Sequence, residues 1–443
     1  MTYSLKDNIK SHINMSLKVI RMYDWLLDLY VLDFFVDNHW EKLPFLWQDS
    51  LKNMDLQHLG IILSNKPPKQ LLPLSLLALI KTVDALSIPR QNTYKHKKID
   101  EINDLDSCKN HPKLKNLFLK HVKLKKRHEI SLMADVVVEA ATEAGCNAVI
   151  DFGSGLGHLV RVLAYRDELY AAGIECQSQL TQEARKLDLE LEYTAKKHIS
   201  AEAVSKLRRP LHFNLTLSCY QQLLDIPLPD TMSDYGLIGL HPCGDLGPLL
   251  LKLFAESEHV KFICVVGCCF MKLTSAGYPM SSYVKSLDSQ LFYPSREISC
   301  HAIEVYCDRL TKGNYEDLKI HAYRGALERL LVDQDPKLRH SPIRNVLTES
   351  PQTSNFWFHS VYFFKSQRLN LPLPTSPAVW SQGHQDLQQW RRVVIVYSLR
   401  LMLAPLVETV VLLDRMLYRF VDCQPFIEDG ELRNTWLCST YFC

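Results

Sequence analysis

The order of apolar and polar positions predicts alternating strands and helices through the middle of the chain. One apolar run ends at Asp151, and a second, at 171–174, ends at Glu175. Between them, residues 159–164 place apolar side chains at helical spacing. Strand, glycine turn, helix, strand and acid therefore follow one another, as at the nucleotide-binding edge of a parallel sheet.

Further apolar runs continue this pattern toward the carboxyl end. Residues 235–240 and 260–269 are predicted strands, and the second is almost wholly apolar, as expected for a strand buried on both faces. Residues 129–144 predict the helix before the first strand, with Gly145 as its stop. No third strand can be placed between Lys186 and Asp230.

The two ends of the chain are predicted to be helical. Apolar faces recur over residues 1–90, and 390–420 predicts a long helix that bends at Pro405. The expected fold class is α/β: a Rossmann-like domain with a mainly parallel sheet, a helical N-terminal region and a helical C-terminal extension. The expected divisions are 1–106, 107–310 and 311–443.

The glycine turn carries the chemistry. Its pattern is D-x-G-x-G-x-G rather than the G-x-G-x-x-G of a dinucleotide site, and the leading acid would repel a pyrophosphate but suit a cation. S-adenosylmethionine has no phosphate and carries an ammonium and a sulfonium. We therefore predict a methyl-donor site; a Rossmann-like fold that has lost or changed its ligand is the alternative. The predicted contacts are Asp151, Gly153, Ser154, Gly155, Gly157 and Glu175.

Composition narrows the class of protein. Lys and Arg number 51 and Asp and Glu 49, so no net charge draws the whole chain to nucleic acid or membrane. The 13 cysteines form no disulfide framework, and residues 1–10 do not resemble a signal peptide. The apolar stretches contain charges, so no membrane span is predicted. We expect an intracellular protein, cytoplasmic or nuclear.

A basic run precedes the predicted sheet domain. From Lys109 to Arg127 there are eight Lys and Arg residues and no acid. Such a run is typical of phosphate contacts, although solvated helix faces look similar. RNA is accordingly the favoured partner, and a protein substrate or partner remains the alternative.

The methyl acceptor is expected at the carboxyl end of the strand 235–240. His241 is a candidate general base near neutral pH, and Asp245 a candidate for orienting it or a substrate. The alternative is that His241 caps a turn and Asp245 starts a helix. No metal site is predicted, although Cys268, Cys269 and His241 could form one.

Five ordered blocks resemble the methyltransferase-like protein 25 family: KKRHEI (125–130), DFGSGLGHL (151–159), HPCGDL (241–246), VGCCFMKLT (266–274) and LVETVVLLDRMLY (406–418). The resemblance implies a Rossmann-like methyltransferase domain, with Asp151, Gly153, Gly155 and Glu175 as donor contacts and 241–245 as the catalytic edge. The chain ends in IEDGELRNTWLCSTYFC, which differs from the ending of family members. This difference leaves open the alternative that the sheet lacks its last strand.

Three functions are compatible with the sequence. The first is an S-adenosylmethionine-dependent methyltransferase that acts on RNA. The second is a methyltransferase that acts on a protein. The third is a catalytically silent scaffold that keeps the fold and binds a partner through its helical ends.

Overall fold

The chain divides into two compact units. The computed structural model describes residues 5–64, 66–89, 111, 114, 122–215, 226, 228–300, 303–341, 376–419 and 435–438. The sheet unit comprises 1–13, 89–290 and 410–443, and the helical unit comprises 14–88 and 291–409. These units differ from the contiguous divisions 1–106, 107–310 and 311–443, because each is assembled from segments far apart in sequence.

Helices and strands are numbered in chain order. The helices are α1 (Leu5–Met22), α2 (Asp24–Leu27), α3 (Phe45–Leu51), α4 (Leu56–Leu63), α5 (Leu74–Leu86), α6 (Leu124–Glu143), α7 (His158–Tyr165), α8 (Ser178–Ala195), α9 (Ala201–Ser205), α10 (Leu246–Glu256), α11 (Ser282–Ser286), α12 (Tyr293–Ile298), α13 (Ile303–Thr311), α14 (Glu316–Gln334), α15 (Pro377–Gln388), α16 (Trp390–Met402) and α17 (Ala404–Leu417). The strands are β1 (Ala148–Phe152), β2 (Tyr170–Glu175), β3 (Leu211–Asn214), β4 (Tyr235–Leu240), β5 (Val260–Val266) and β6 (Thr435–Cys438).

The sheet unit contains a parallel sheet in the order β3-β2-β1-β4-β5-β6. This confirms the predicted α/β, Rossmann-like fold class with its parallel sheet. The strand that the sequence did not place is β3, which is only four residues long and lies at the sheet edge. So short a strand leaves little alternation to detect.

Both faces of the sheet are covered. Alternate residues of β1 point to opposite sides: Val149 joins a core with α6 and α7, whereas Ile150 joins a core with α10. The same alternation separates Cys264 from Ile263 on β5. A strand that is buried on both faces needs apolar residues throughout, which explains the unbroken apolar runs.

The chain reverses its winding direction between β1 and β4. From β1 it crosses outward to β2 and β3, then returns to β4 on the other side of β1. In such sheets the crevice at the carboxyl ends of the two central strands is the usual ligand site. Asp151 and His241 lie at this position, one in β1 and one directly after β4.

The C-terminal segment contributes a strand. Thr435–Cys438 pairs in parallel with β5, from Ile263↔Thr435 to Val266↔Cys438. The sheet therefore does not lack this last strand, which was the alternative that the unusual ending left open. Backbone hydrogen bonds alone can add an edge strand, so the departure from the family's sequence does not prevent the pairing.

The predicted helix at 390–420 is two helices. The break lies at Leu403, and Pro405 sits in the first turn of α17, where a missing N–H leaves no hydrogen bond unmade. Residue 420 lies outside the described part of the chain. By length and composition Trp390–Leu417 is apolar enough to cross a membrane, and 94% of its most apolar window is buried inside the protein. Core helices share both properties.

Candidate functional site

The predicted donor loop joins β1 to α7. Gly153, Gly155 and Gly157 have φ angles of 75°, 56° and 66°, in the left-handed region that glycine adopts without strain. In the described residues, no heavy atom lies within 4 Å of a Cβ built on Gly155, and only Leu246 Cδ2, at 3.8 Å, approaches one on Gly153. This part of the loop thus borders open space that a ligand can fill.

Glu175 closes the same loop from the end of β2. Its Oε2 accepts a hydrogen bond from the Gly155 amide at 2.9 Å, and its Oε1 accepts one from Gln177 N at 3.0 Å. Glu175 as a whole is 8% exposed. Since a carboxylate has about four lone-pair positions, Glu175 can brace the loop and still accept hydrogen bonds from a ligand.

Asp151 is a buried acid beside the loop. Burial raises the pKa of its carboxyl to about 8, with Lys126 opposing the rise and Glu175 adding to it. Ser154 Oγ is also buried and has no hydrogen-bond partner in the described residues. A buried hydroxyl without a partner and a desolvated carboxyl both favour the binding of a polar, positively charged ligand.

His241 is held by a residue that the sequence did not single out. Its Nε2 lies 3.0 Å from Glu129 Oε2, and Lys126 Nζ lies 3.1 Å from the same oxygen. Burial would raise the pKa of Glu129, but the hydrogen bonds from His241 and Lys126 outweigh it and lower the pKa. An ionised carboxylate only accepts, so Nε2 donates and the neutral ring has its lone pair on Nδ1.

The environment of His241 favours the neutral ring. Burial lowers its pKa, and the hydrogen bond to Glu129 offsets only part of the effect. Its φ of 67° is a left-handed conformation that is uncommon outside glycine. Such strained backbone clusters at functional sites, where surrounding contacts hold it in place.

The side chain of Asp245 binds Thr274, whereas the sequence suggested His241 or a substrate as its partner. Its Oδ1 accepts from Thr274 N at 2.9 Å and its Oδ2 from Thr274 Oγ1. The residue also precedes α10 directly, without a side-chain cap. Asp245 therefore ties the loop after β4 to the loop after β5, and the residue that orients His241 is Glu129. The block KKRHEI indicates one part of this arrangement, because Lys126 and Glu129 are one helical turn apart and can form an ion pair.

Three cysteines meet at the same edge of the sheet. Cys243 Sγ lies 3.6 Å from Cys268 Sγ and 3.2 Å from Cys269 Sγ, and the last two are 3.7 Å apart. The group considered from sequence was Cys268, Cys269 and His241; the structure replaces His241 with Cys243. Burial raises the pKa of Cys243 and of Cys268, whereas hydrogen bonds from both outweigh burial at Cys269 and lower its pKa.

Part of the basic run lies within the described residues. Lys109, Lys113, Lys115 and Lys120 lie outside them. Lys123, Lys125 and Arg127 are exposed at the start of α6, and that first turn contains no acid. Cations are unfavourable at a helix N-terminus, so this end of α6 carries positive charge that the helix itself does not neutralise.

A cavity of about 730 Å³ in the sheet unit is not this site. It is lined by Tyr170 at the amino end of β2 and by residues such as Arg208 and Met232. The glycine loop lies at the opposite, carboxyl end of the sheet.

Comparison with known proteins finds a family of methyltransferase domains and two relatives that are similar in sequence. A methyltransferase domain family matches residues 125–276, from the Lys126–Glu129 segment to the loop after β5. Probable methyltransferase-like protein 25 of Homo sapiens is 25% identical over 200 residues, which are 42% of this chain and 32% of that protein. The Mus musculus protein of the same name is 25% identical over 203 residues, 43% of this chain and 33% of that protein. No solved structure matches.

The fold and the family match define a methyltransferase domain. The resemblance to the methyltransferase-like protein 25 family is confirmed at the level of the family. The matched region spans about a third of the length of these curated relatives.

The residues at the loop fit a methyl donor of the sulfonium type. Asp151 offers a buried carboxyl group whose proton a cation can replace, Ser154 an unpartnered hydroxyl, and Gly155 the open space beside the loop. Glu175 stands at the end of the second strand, where ribose hydroxyls are bound in related folds. Nothing in this donor set requires a phosphate.

Proposed function

We propose that this protein is an S-adenosylmethionine-dependent methyltransferase with RNA as its acceptor. The observation that carries the proposal is the open glycine loop between two acids, Asp151 and Glu175, at the reversal point of the sheet. A cationic donor there would take the place of the proton on buried Asp151, whereas the pyrophosphate of a dinucleotide would be repelled by the acid. Methyl transfer from a sulfonium then needs mainly positioning and the removal of an acceptor proton.

His241 is the group we assign to that proton. Glu129 fixes the ring through Nε2, and burial keeps it neutral by lowering its pKa, so Nδ1 has the lone pair that a general base needs. His241 follows β4, next to the β1 loop that would hold the donor. The acceptor atom would therefore approach between these two strands.

RNA is the acceptor class that the charges favour. Lys123, Lys125 and Arg127 are exposed at the N-terminus of α6, where the helix dipole adds to their positive charge. Glu129, on the next turn, holds His241. Phosphates bound at this end of α6 would bring a nucleotide to the proposed base.

The donor site is tested by calorimetric titration with S-adenosylmethionine. We expect micromolar binding to the wild type and none to Gly155→Arg, because the arginine adds bulk and a positive charge where the cationic donor would pass. Gly145→Arg is the matched control: Gly145 has a similar φ of 59° and no atom within 4 Å of its Cβ position, but it lies at the amino end of β1. No binding to folded wild type would overturn the proposal.

The acceptor is tested by transfer of an isotope-labelled methyl group to separate pools of RNA and protein. We expect label in RNA, and less of it with Lys123→Ala and Lys125→Ala combined than with the control pair Lys196→Ala and Lys206→Ala. Both pairs remove two exposed positive charges from the sheet unit. Label in protein would replace RNA as the acceptor. Donor binding without transfer to either pool would indicate a silent scaffold.

A further inference from the structure

The cluster of Cys243, Cys268 and Cys269 lies where two loops meet. Cys243 follows β4, and Cys268 and Cys269 follow β5. Because β4 and β5 are neighbouring parallel strands, their carboxyl ends bring both loops to the same edge. Cys243 is 25 positions from Cys268 and 26 from Cys269 in sequence, yet each pair of sulfurs in the cluster is less than 4 Å apart.

The spacing of the sulfurs is that of ligands around one ion. Sulfurs bound to Zn²⁺ at about 2.3 Å in a tetrahedron lie about 3.8 Å apart, whereas a disulfide joins them at about 2.05 Å. The three observed separations, 3.2, 3.6 and 3.7 Å, fall near the first value. A small inward or outward shift of each thiol would complete three corners of a tetrahedron.

A buried cation, Arg415, lies beside the cluster. The side chain of Arg415 is buried, with 3% of the residue exposed. Its Nε has no hydrogen-bond partner in the described residues. Nη1 lies 3.2 Å from a Cβ built on Gly267, directly before Cys268. Three thiolates around a dication carry a net charge of minus one, which a neighbouring cation stabilises.

We propose that Cys243, Cys268 and Cys269 together bind one Zn²⁺ ion. No fourth His, Cys, Asp or Glu joins the group in the part of the chain that is described. Three protein ligands with one open position are typical of zinc sites that also bind water or a substrate. Cys243 is exposed, so the site is reachable from solvent. The ion would join the loop after β4, which carries His241 and Asp245, to the loop after β5, and the proposal does not depend on methyl transfer.

The first test is metal content. The full chain is purified under reducing conditions without added zinc, washed briefly with chelator, and analysed by mass spectrometry of the elements. We expect one zinc per chain in the wild type and in Cys300→Ser, and a small fraction of that in Cys269→Ser. Cys300 is a half-buried cysteine of the helical unit and serves as the matched control. Wild type without zinc, or Cys269→Ser with a full complement, would overturn the proposal.

A second measurement on the wild type does not depend on how the variants fold. Zinc is removed with chelator, and Co²⁺ is titrated in while thiolate-to-cobalt charge-transfer absorption is recorded. We expect saturation at one Co²⁺ per chain with an intensity that corresponds to three thiolates, and displacement by Zn²⁺. The absence of these bands, or a disulfide between Cys243 and Cys269 found in the non-reduced protein by peptide mass, would overturn the proposal.

Discussion

Asp151 is a carboxyl group whose proton is controlled by burial. It is 4% exposed, and its pKa is raised to about 8, far above its ordinary value of 3.8. Near neutral pH the folded protein without a bound cation therefore keeps a proton here that the unfolded chain releases. Folding becomes less favourable as the pH rises from about 4 to about 8, and a cationic ligand reverses this cost by taking the place of the proton.

Asp151→Asn should remove this pH dependence. We expect similar melting temperatures for variant and wild type near pH 5, but a more stable variant near pH 8.5. The difference should exceed about 1 kcal/mol, because one pKa unit corresponds to about 1.4 kcal/mol. Thermal unfolding at both pH values measures it. The exposed Asp230→Asn is the control and should track the wild type. Equal slopes for Asp151→Asn and wild type would contradict the shifted pKa.

Glycines of the same backbone conformation have different roles in different elements. Gly145 ends α6 and Gly157 begins α7, with φ angles of 59° and 66°. A Cβ on Gly145 would meet no atom within 4 Å, whereas one on Gly157 would come within 2.5 Å of His212 Cε1 and 3.3 Å of Ala184 Cβ. His212 is fixed by a hydrogen bond to buried Asp188. Gly157 is therefore needed for the packing of α7 as well as for its turn.

Comparison of Gly157→Ala with Gly145→Ala separates these two effects. Each substitution should cost about 1–2 kcal/mol for the left-handed conformation. Gly157→Ala should cost a further 1–3 kcal/mol or so, because the methyl group overpacks the contact with His212. Chemical denaturation of both variants and the wild type gives the three free energies of unfolding. An equal loss in the two variants would show that the contact relaxes without strain.

The start of α6 shows how local side-chain contacts accompany a helix that begins earlier than its sequence pattern predicts. The sequence pattern predicts this helix from residue 129, and the four cations just before that residue oppose the helix dipole. The structure begins the helix at Leu124. Lys126 pairs with Glu129 across one turn, and Arg127 Nε donates to Val122 O. In both contacts an oxygen atom binds a positively charged side chain, although positive charge at this end of a helix is unfavourable.

At the scale of the molecule, the sheet depends on a distant C-terminal segment. Strand β6 covers the edge of β5, whose residues Ile263 to Val266 are buried. Without β6, the backbone N–H and C=O groups on that edge of β5 would lose the partners that β6 provides. An unprotected apolar edge is prone to aggregation.

Truncation after residue 434 should therefore lower the melting temperature and promote aggregation on heating. A domain of this size loses about 2–4 °C for each kcal/mol of stability. Truncation after residue 438 keeps β6 and is the control. Differential scanning fluorimetry and light scattering follow both effects. If the two truncated chains behave alike, pairing between β5 and β6 contributes nothing measurable.

The sequence by itself determined the class of fold and the place of the donor loop. Strands buried on both faces must be apolar throughout, and a tight turn beside a ligand needs glycine, so both leave a local pattern. Asp151, Gly155 and Glu175 are less than 30 positions apart, so a local pattern is enough to predict them as donor contacts. The contacts of these residues with a donor, like the catalytic role of His241, stay predictions.

Only the tertiary structure decided the partners that come from distant segments. Glu129 meets His241 across 112 positions of sequence, and Cys243 meets Cys269 across 26. The order of strands in the sheet, which spacing along the chain does not specify, brings these side chains together. The two compact units and the position of β6 depend on the same long-range packing, because the residues of each unit contact one another only after the chain has returned on itself.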